Sequence, residues 1–260
     1  MNAITANSAL IKVPIIITLY FWVIKILATT VGETGADFLI FNLNWGLPLT
    51  SALMSVVLVG FLFAQVKTKT YTPWLYWLTV VMVSIVGTLI TDNLTDNLGV
   101  PLTVSTAAFS AVLAVTFWLW HKSEGSLSIH SIYTAKRELF YWAAILFTFA
   151  LGTAAGDLLA ESVGLGYAIS ALAFGAVIAV ITIGFYAFKL NGILAFWLAY
   201  IITRPLGASI GDLLSQNVGN GGLGLGTMGT SAVFLVAIVG LVSYLTLSRV
   251  DAPKAVEGAV

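Results

Sequence analysis

Eight apolar runs, each close to the length needed to cross a bilayer, take up most of this 260-residue sequence. About 20 consecutive apolar residues span the hydrocarbon core as an α-helix. The apolar residues are continuous and do not alternate with polar ones, which argues against a membrane β-barrel. The sequence therefore predicts an all-α polytopic membrane protein with eight transmembrane helices. The predicted spans are approximately 13–40, 47–66, 74–93, 101–120, 137–160, 166–188, 192–214 and 225–247.

The composition supports a membrane protein and excludes several other classes. Only 8% of the residues are charged and 59% are hydrophobic, whereas soluble domains carry about 25% charged residues. The formal net charge is zero and the sequence has no basic patch, which excludes nucleic acid as a partner. The chain has no cysteine, and both histidines, His121 and His130, lie in one polar loop. Because the spans offer neither a nucleophile–base pair nor soft-metal ligands, we expect no enzymatic activity.

Lysine and arginine residues mark one side of the predicted membrane. Outside the spans they occur only in alternate connections and near both ends of the chain, at Lys12, Lys67, Lys69, Lys122, Lys136, Arg137, Lys189, Arg249 and Lys254. The connections without any lie around residues 41–46, 94–100, 161–165 and 215–224. By the positive-inside rule, we predict that both termini are cytoplasmic. Only Lys25 and Arg204 lie within spans.

A motif of Gly, four residues and Asp recurs near the end of every second span. Its copies are Gly32–Asp37, Gly87–Asp92, Gly152–Asp157 and Gly207–Asp212. Each Gly follows a tryptophan by ten residues, and these are Trp22, Trp77, Trp142 and Trp197. Two spans per unit give every unit the same orientation, so the units are parallel repeats. We predict one membrane domain over residues 1–260, with repeats at about 13–66, 74–120, 137–188 and 192–247 and a cytoplasmic tail at 248–260.

These tandem units resemble a known family. Four two-span repeats, each with a tryptophan and a Gly-Glu-Thr-like segment before an aspartate, are similar to a bacterial multi-spanning membrane-protein family. That family is built of four tandem two-span "repeats of unknown function". The resemblance covers nearly the whole chain and implies the architecture and a location in the bacterial cytoplasmic (inner) membrane. It implies no activity, so the function has to be argued from the residues.

The unusual residues of the odd spans share one helix face. At 100° per residue, Trp22, Lys25, Gly32, Glu33 and Asp37 fall within an arc of about 140°, as does the position of Arg204 in its own span. Lipid contact would penalise such a face, so we predict that it points into the bundle.

One interpretation of this face is helix packing. Gly32, Gly87, Gly152 and Gly207 are each followed four residues later by a small residue, a pattern that lets membrane helices approach closely. The four tryptophans would then pack helices or anchor them at the interface. Lys25 and Arg204 would form buried ion pairs with carboxylates on other helices. The protein is then a non-transporting membrane scaffold or accessory subunit.

The other interpretation is an ion site at the outer side. If the repeats surround an axis, the repeated aspartates converge, with Glu33 one turn further in. Carboxylates that close must bind protons, pair with a base or hold a cation. Lys25 and Arg204 would provide charge compensation or gating. The predicted ion or metal ligands are Glu33, Asp37, Asp92, Asp157 and Asp212.

Ligation by oxygen alone suits hard divalent metal ions, Na⁺ or H⁺. This interpretation predicts a transporter or channel for a small cation. A bound hard metal cation is then the only cofactor, and the partners are the lipid bilayer and the ion. Assembly into a homo-oligomer is compatible with the sequence.

Overall fold

The computed structural model describes residues 11–251 and contains eight long α-helices within them. They are α1 (Leu19–Asp37), α2 (Gly46–Lys67), α3 (Pro73–Asp92), α4 (Leu102–Glu124), α5 (Ala135–Asp157), α6 (Gly166–Phe188), α7 (Gly192–Ser215) and α8 (Thr227–Ser248). No strand occurs in this range, so the all-α prediction is confirmed. Seven of the helices are long and apolar enough to cross a membrane. The remaining one is α1, whose hydropathy is lowered by Lys25, Glu33 and Asp37.

The odd helices form an inner ring and the even helices surround it. Helices α1, α3, α5 and α7 contact one another in that cyclic order, with α7 closing back onto α1. Each even helix packs on the next odd helix: α2 on α3, α4 on α5, α6 on α7, and α8 on α1. In α3, 78% of the apolar 18-residue stretch is buried inside the bundle, whereas in α6 only 6% of the corresponding stretch is buried. The bundle therefore has an approximate four-fold axis running along the helices, as parallel repeats require.

The repeated glycines lie where neighbouring helices of the ring touch. A Cβ atom at any of them would overlap a side chain of the next inner helix. The four contacts are Gly32 with Ser84, Gly87 with Phe149, Gly152 with Arg204, and Gly207 with Thr29. The contacted residues are repeat-equivalent, since each lies seven residues after the tryptophan of its unit. One contact is thus used four times, and its fourth copy closes the ring.

The bundle has two chemically different ends. The basic end carries the connections 68–72, 125–134 and 189–191, and the acidic end carries 43–45, 98–101, 163–165 and 216–226. At the acidic end, α1, α3 and α5 each continue into a single π-helical turn directly after the repeated aspartate. Helix α7 has no such turn and ends at Ser215.

The predicted first span starts too early, because α1 begins at Leu19 and not near residue 13. Pro14 cannot donate a backbone hydrogen bond and disfavours helical geometry in the residue before it. Thr18 then caps the helix, with its hydroxyl accepting from the amide of Phe21 at 3.4 Å. Residues 11–18 instead form an irregular segment, which we call the N-terminal strap.

The N-terminal strap ties several elements together at the basic end. Lys12 Nζ donates to the carbonyl of Val66 at 2.7 Å and to Glu138 Oε2 at 3.0 Å. The amide of Ile16 donates to the carbonyl of Asp251, whose carboxylate also accepts a hydrogen bond of 2.7 Å from the Tyr71 hydroxyl. Burial raises the pKa of Asp251 above its usual range, and the hydrogen bond from Tyr71 opposes that rise. The predicted tail extends beyond Asp251, outside the described residues.

The orientation of the two ends in the membrane stays a prediction, and cysteine labelling tests it. The chain has no cysteine, so an introduced thiol reports without background. We expect a membrane-impermeant maleimide to label Leu98→Cys at the acidic end in intact cells. Lys69→Cys at the basic end should react only after the membrane is permeabilised. Labelling in the opposite order would contradict a cytoplasmic basic end.

The glycine contacts predict which small residues are essential for stability. Gly152→Ala should lower the free energy of unfolding by about 1–3 kcal/mol, because Arg204 or Pro205 must move to make room. Gly60→Ala and Gly175→Ala are matched controls, since nothing lies within 4 Å of a Cβ at either position. They should be neutral or stabilise the helix by up to ~1 kcal/mol. Unfolding in mixed detergent micelles measures the difference, and equal effects at all three positions would refute the packing geometry.

Candidate functional site

A buried arginine on α7 connects all four helices of the inner ring. The Arg204 side chain is fully buried. Its Nη2 donates to Glu33 Oε2 on α1 at 3.0 Å and to Thr153 Oγ1 on α5 at 2.7 Å. The hydroxyl of Thr88 on α3 contacts the same nitrogen, so that the two N–H groups of Nη2 are shared among three acceptors. Nη1 donates to the carbonyl of Thr29 on α1 at 3.1 Å. The guanidinium therefore lies between α1, α3 and α5, on the axis of the bundle.

The partners of Arg204 form a layer of repeat-equivalent residues. Glu33, Thr88 and Thr153 each lie eleven residues after the tryptophan of their unit, and the fourth member of the layer is Ala208. Arg204 thus binds the three polar members of this layer, and the fourth is a small apolar residue, Ala208, on the helix that carries Arg204. We call Arg204 with Glu33, Thr88 and Thr153 the axial hub. The sequence predicted a role for Arg204 and Glu33 but did not predict that Thr88 and Thr153 bind Arg204; the available signal was the register that these threonines share with Glu33.

Lys25 occupies the axis nearer to the basic end. It is fully buried and lies two helical turns, about 12 Å, before Glu33 on α1. Its Nζ donates to the carbonyl of Tyr200 at 2.8 Å and to Thr203 Oγ1 at 2.6 Å. The ammonium lies 3.9 Å from the centroid of the Tyr200 ring, a cation–π distance. None of the ion pairs found among residues 11–251 involves Lys25.

One aromatic ring separates the two cations. The centroid of Phe149 lies 5.4 Å from Lys25 Nζ and 5.3 Å from Arg204 Cζ. Both cations can therefore interact with the same π system. Of the two predicted charge-compensating residues, only Arg204 is paired with a carboxylate, and that carboxylate comes from another helix. Lys25 is held by neutral oxygens and aromatic rings instead.

Aromatic side chains fill the axis between Lys25 and the basic end. The Tyr76 and Tyr141 hydroxyls are 2.5 Å apart, and the ring of Phe21 lies 5.3 Å from that of Trp77. We call this set the aromatic layer; its members are Phe21, Tyr76, Trp77, Tyr141, Trp142, Phe196, Trp197 and Tyr200. Trp22 differs from the other three repeated tryptophans because it remains partly exposed.

The repeated aspartates lie beyond the axial hub, toward the acidic end. Asp212 is buried, while the other three are half-buried and stand at the junction with a π-helical turn. Such turns are frequent at functional sites. Each of the four carboxyl groups is close enough to Glu33 for an electrostatic interaction. We call this set the acidic vestibule; it comprises Asp37, Asp92, Asp157 and Asp212, with the exposed Asp96 and Glu161 at its edge.

The predicted metal ligands are not arranged as a ready-made metal site. Within the described range, no three His, Asp or Glu side chains come together closely enough to hold a metal ion. Glu33, the innermost of the five predicted ligands, directs Oε2 at Arg204. The structure therefore brings Glu33 to the axial hub and leaves the four aspartates around it as separate groups.

The repeats are those of a known family. A family described as "Repeat of Unknown Function (DUF347)" matches four consecutive segments of the chain, residues 20–71, 75–126, 140–191 and 195–251. The chain therefore belongs to this family, as the resemblance in the sequence indicated. No curated protein and no solved structure matches the chain.

The axial hub predicts strong coupling between Arg204 and Glu33. Arg204→Met alone leaves a buried carboxylate without its cation, which should cost about 3–5 kcal/mol in unfolding free energy. The double variant R204M/E33M should recover part of that loss, since apolar residues often replace a buried ion pair with little penalty. Unfolding in mixed micelles measures this cycle.

A surface ion pair is the control for this cycle. Lys136 pairs with Glu124 at 3.2 Å, and the Lys136 side chain is 64% exposed. Changing Lys136 to Met should leave the unfolding free energy nearly unchanged, because solvent screens exposed pairs. Additive losses from R204M and E33M would show that the two residues act independently and would contradict the hub.

Proposed function

We propose that this member of the repeat family is a membrane transporter for a small cation, which enters through the acidic vestibule and is bound next to the axial hub. One observation carries the proposal: a fully buried guanidinium lies on the ring axis, between a group of carboxylates and an aromatic layer. Charged side chains inside a membrane are costly, and they mark ion pathways and proton relays. A protein whose inner residues served only helix packing would need the repeated glycines but not a buried charge.

The filled axis favours a transporter over an open channel. Arg204, Lys25 and the aromatic layer occupy the axis at three successive levels. A cation about 4 Å from the Arg204 guanidinium meets a repulsion of roughly 4 kcal/mol at an effective dielectric constant of 20. Passage therefore requires that these groups move, as happens in carriers that expose a site alternately to each side.

In this proposal, the ion and Arg204 compete for the carboxylate of Glu33. A cation or proton bound at Glu33 removes the negative charge that holds Arg204. After release from Glu33, the two Nη groups of Arg204 keep three neutral acceptors, Thr88, Thr153 and the Thr29 carbonyl. Ion binding is thereby coupled to the position of Arg204.

Helix α7 contains a proline directly after this arginine. Pro205 lies inside the helix and cannot donate a backbone hydrogen bond, which favours bending at that point. A change in the hydrogen bonds of Arg204 would therefore be transmitted to a helix that can bend next to it. This supports α7 as the moving element of the transport cycle.

The available ligands define the class of ion. Carboxylates and hydroxyls are hard oxygen donors, which suit H⁺, Na⁺ or a hard divalent metal ion. The buried hydroxyls of Ser84 and Ser209 have no hydrogen-bond partner among the described residues and add polar groups to the inner ring. In this proposal the protein lies in the bacterial cytoplasmic membrane, the acidic end faces outward and both termini are cytoplasmic.

Ion flux into proteoliposomes tests the proposal. We expect the purified protein to carry at least one of H⁺, Na⁺, Mg²⁺, Ca²⁺ or Mn²⁺, followed with ion-sensitive dyes trapped inside. The double variant D37N/D157N should fall to the level of empty liposomes, because it removes two vestibule charges while keeping side-chain size. Glu124→Gln at the basic end is the matched control and should transport normally.

Two results would contradict the transport proposal. One is the absence of flux above empty liposomes for all five ions with the folded wild-type protein. The other is unchanged flux in D37N/D157N. Either result would favour the alternative, in which the protein is a non-transporting scaffold or accessory subunit.

A further inference from the structure

A lateral cavity of about 620 Å³ opens between α1, α6 and α7 in the half of the bundle nearer the basic end. Its walls include Trp22 and Ile26 of α1, Phe196 and Thr203 of α7, and Phe185 of α6. From Thr18 to Ile26 it extends about 12 Å along α1. Its volume falls within the range of roughly 300–1,000 Å³ that is typical of pockets for small molecules.

Comparison of the repeats shows how the corresponding position is filled elsewhere. Each even helix places two residues at the seam, the groove between two adjacent inner helices. They lie nine and six residues before the end of the segment that matches the repeat family, and these segments end at residues 71, 126, 191 and 251. These pairs are Leu62 and Gln65, Phe117 and Trp120, Thr182 and Phe185, and Val242 and Leu245. At the seam between α5 and α7, the rings of Phe117 and Trp120 pack 4.9 and 5.7 Å from that of Trp197.

The α6 pair does not fill its seam in the same way. Phe185 is 42% exposed, whereas its equivalents Gln65, Trp120 and Leu245 are 0%, 0% and 1% exposed. Thr182 is smaller than Phe117 and is also exposed. The short connection 189–191 folds back onto the end of α6, where the amide of Leu190 donates to the carbonyl of Gly184 at 3.0 Å. Trp22 is therefore left partly uncovered, and the cavity follows from the sequence of this one repeat.

The lining has few hydrogen-bonding groups that a polar ligand could use. Thr182 and Thr203 already donate their hydroxyls to the backbone carbonyls of Ile178 and Tyr200. His130, at the basic-end edge of the cavity, makes a 2.8 Å hydrogen bond to the carbonyl of Ile15. The remaining lining is almost entirely apolar. A ligand that fits here has an apolar body.

The opening of the cavity faces the lipid. Tyr186 is 79% exposed at its edge, on the outer surface of a spanning helix. Hydrocarbon is the medium that surrounds this surface in the bilayer. We propose that the cavity is a binding site for one hydrocarbon chain of a membrane lipid. This inference does not depend on the transport proposal.

A chain bound here contacts the wall that supports Lys25. Thr203 lines the cavity and accepts the 2.6 Å hydrogen bond from Lys25 Nζ. An acyl chain in the cavity packs against Trp22 and Ile26 of α1 and against Phe196 of α7. The bound lipid therefore helps to hold the contact between α1 and α7.

Quenching by brominated lipid tests the site. The protein is reconstituted into vesicles of dibrominated phosphatidylcholine and, for comparison, of the unbrominated lipid. The contribution of Trp22 is the difference in quenching between the wild type and Trp22→Phe. We expect this contribution to be clear in the wild type and to disappear when the cavity is filled by T182F/A199L. Val180→Phe is the matched control; Val180 is 69% exposed on the same helix, and this change should leave the Trp22 contribution intact.

Two outcomes would overturn the proposal. Equal Trp22 quenching in the wild type and in T182F/A199L would mean that Trp22 meets only the surrounding bulk lipid. No Trp22 quenching in the wild type would mean that the cavity is closed in a bilayer. If T182F/A199L fails to fold, native mass spectrometry of the wild type in mild detergent decides. Retention of one lipid per chain supports the site, and complete loss of lipid contradicts it.

Discussion

A guanidinium inside a membrane has to be surrounded by acceptors, and this requirement determines the centre of the bundle. Taking a charged group out of water costs several kcal/mol, which only good geometry and further hydrogen bonds can offset. Arg204 meets this condition at Nη1 and Nη2 with groups from α1, α3 and α5, while its own backbone belongs to α7 and its Nε has no hydrogen-bond partner among the described residues. Each of the four inner helices must therefore be in place before the charge is satisfied.

The repeats provide a symmetric frame, and the charged residues break that symmetry at one seam. The glycine contact occurs at all four junctions of the ring. In contrast, Lys25 reaches from α1 to α7, Arg204 reaches from α7 to Glu33 on α1, and the lateral cavity opens along the same two helices. The α1–α7 seam thus combines the buried charges, the proline in α7 and the lipid-facing cavity. In the transport proposal, this seam is where the bundle changes conformation.

Much of the fold could be predicted from the sequence because membrane spans are local features. A run of apolar residues predicts a helix without knowledge of its neighbours, and the Gly–Asp register identifies the repeats. The start of α1 could not be read in this way, since Val13 and its neighbours are apolar but are held in an irregular strap by Lys12 and Asp251. Hydropathy alone does not distinguish such a segment from a helix.

The candidate site was predictable in its residues but not in its pairing. Helical spacing placed Lys25, Glu33 and the position of Arg204 on one face. The partner of Arg204 depends on the order of helices around the ring, which no single helix reveals. Thr88 and Thr153 can be recognised as partners of Arg204 only when the position of Glu33 in its repeat is compared with the same position in the other repeats. The cavity likewise depends on a difference between equivalent residues, Trp120 and Phe185, that matters only once their seams are known.

The charge state of Glu33 tests the central claim, an ion pair on the axis, most directly. Infrared difference spectroscopy of wild-type protein against Glu33→Gln at neutral pH isolates the signal of this one carboxyl group. If Glu33 pairs with Arg204 as a carboxylate, an ionised carboxylate band is lost in the variant. Loss of a protonated carboxyl band would mean that Arg204 has no anionic partner in the ring, and it would contradict the account.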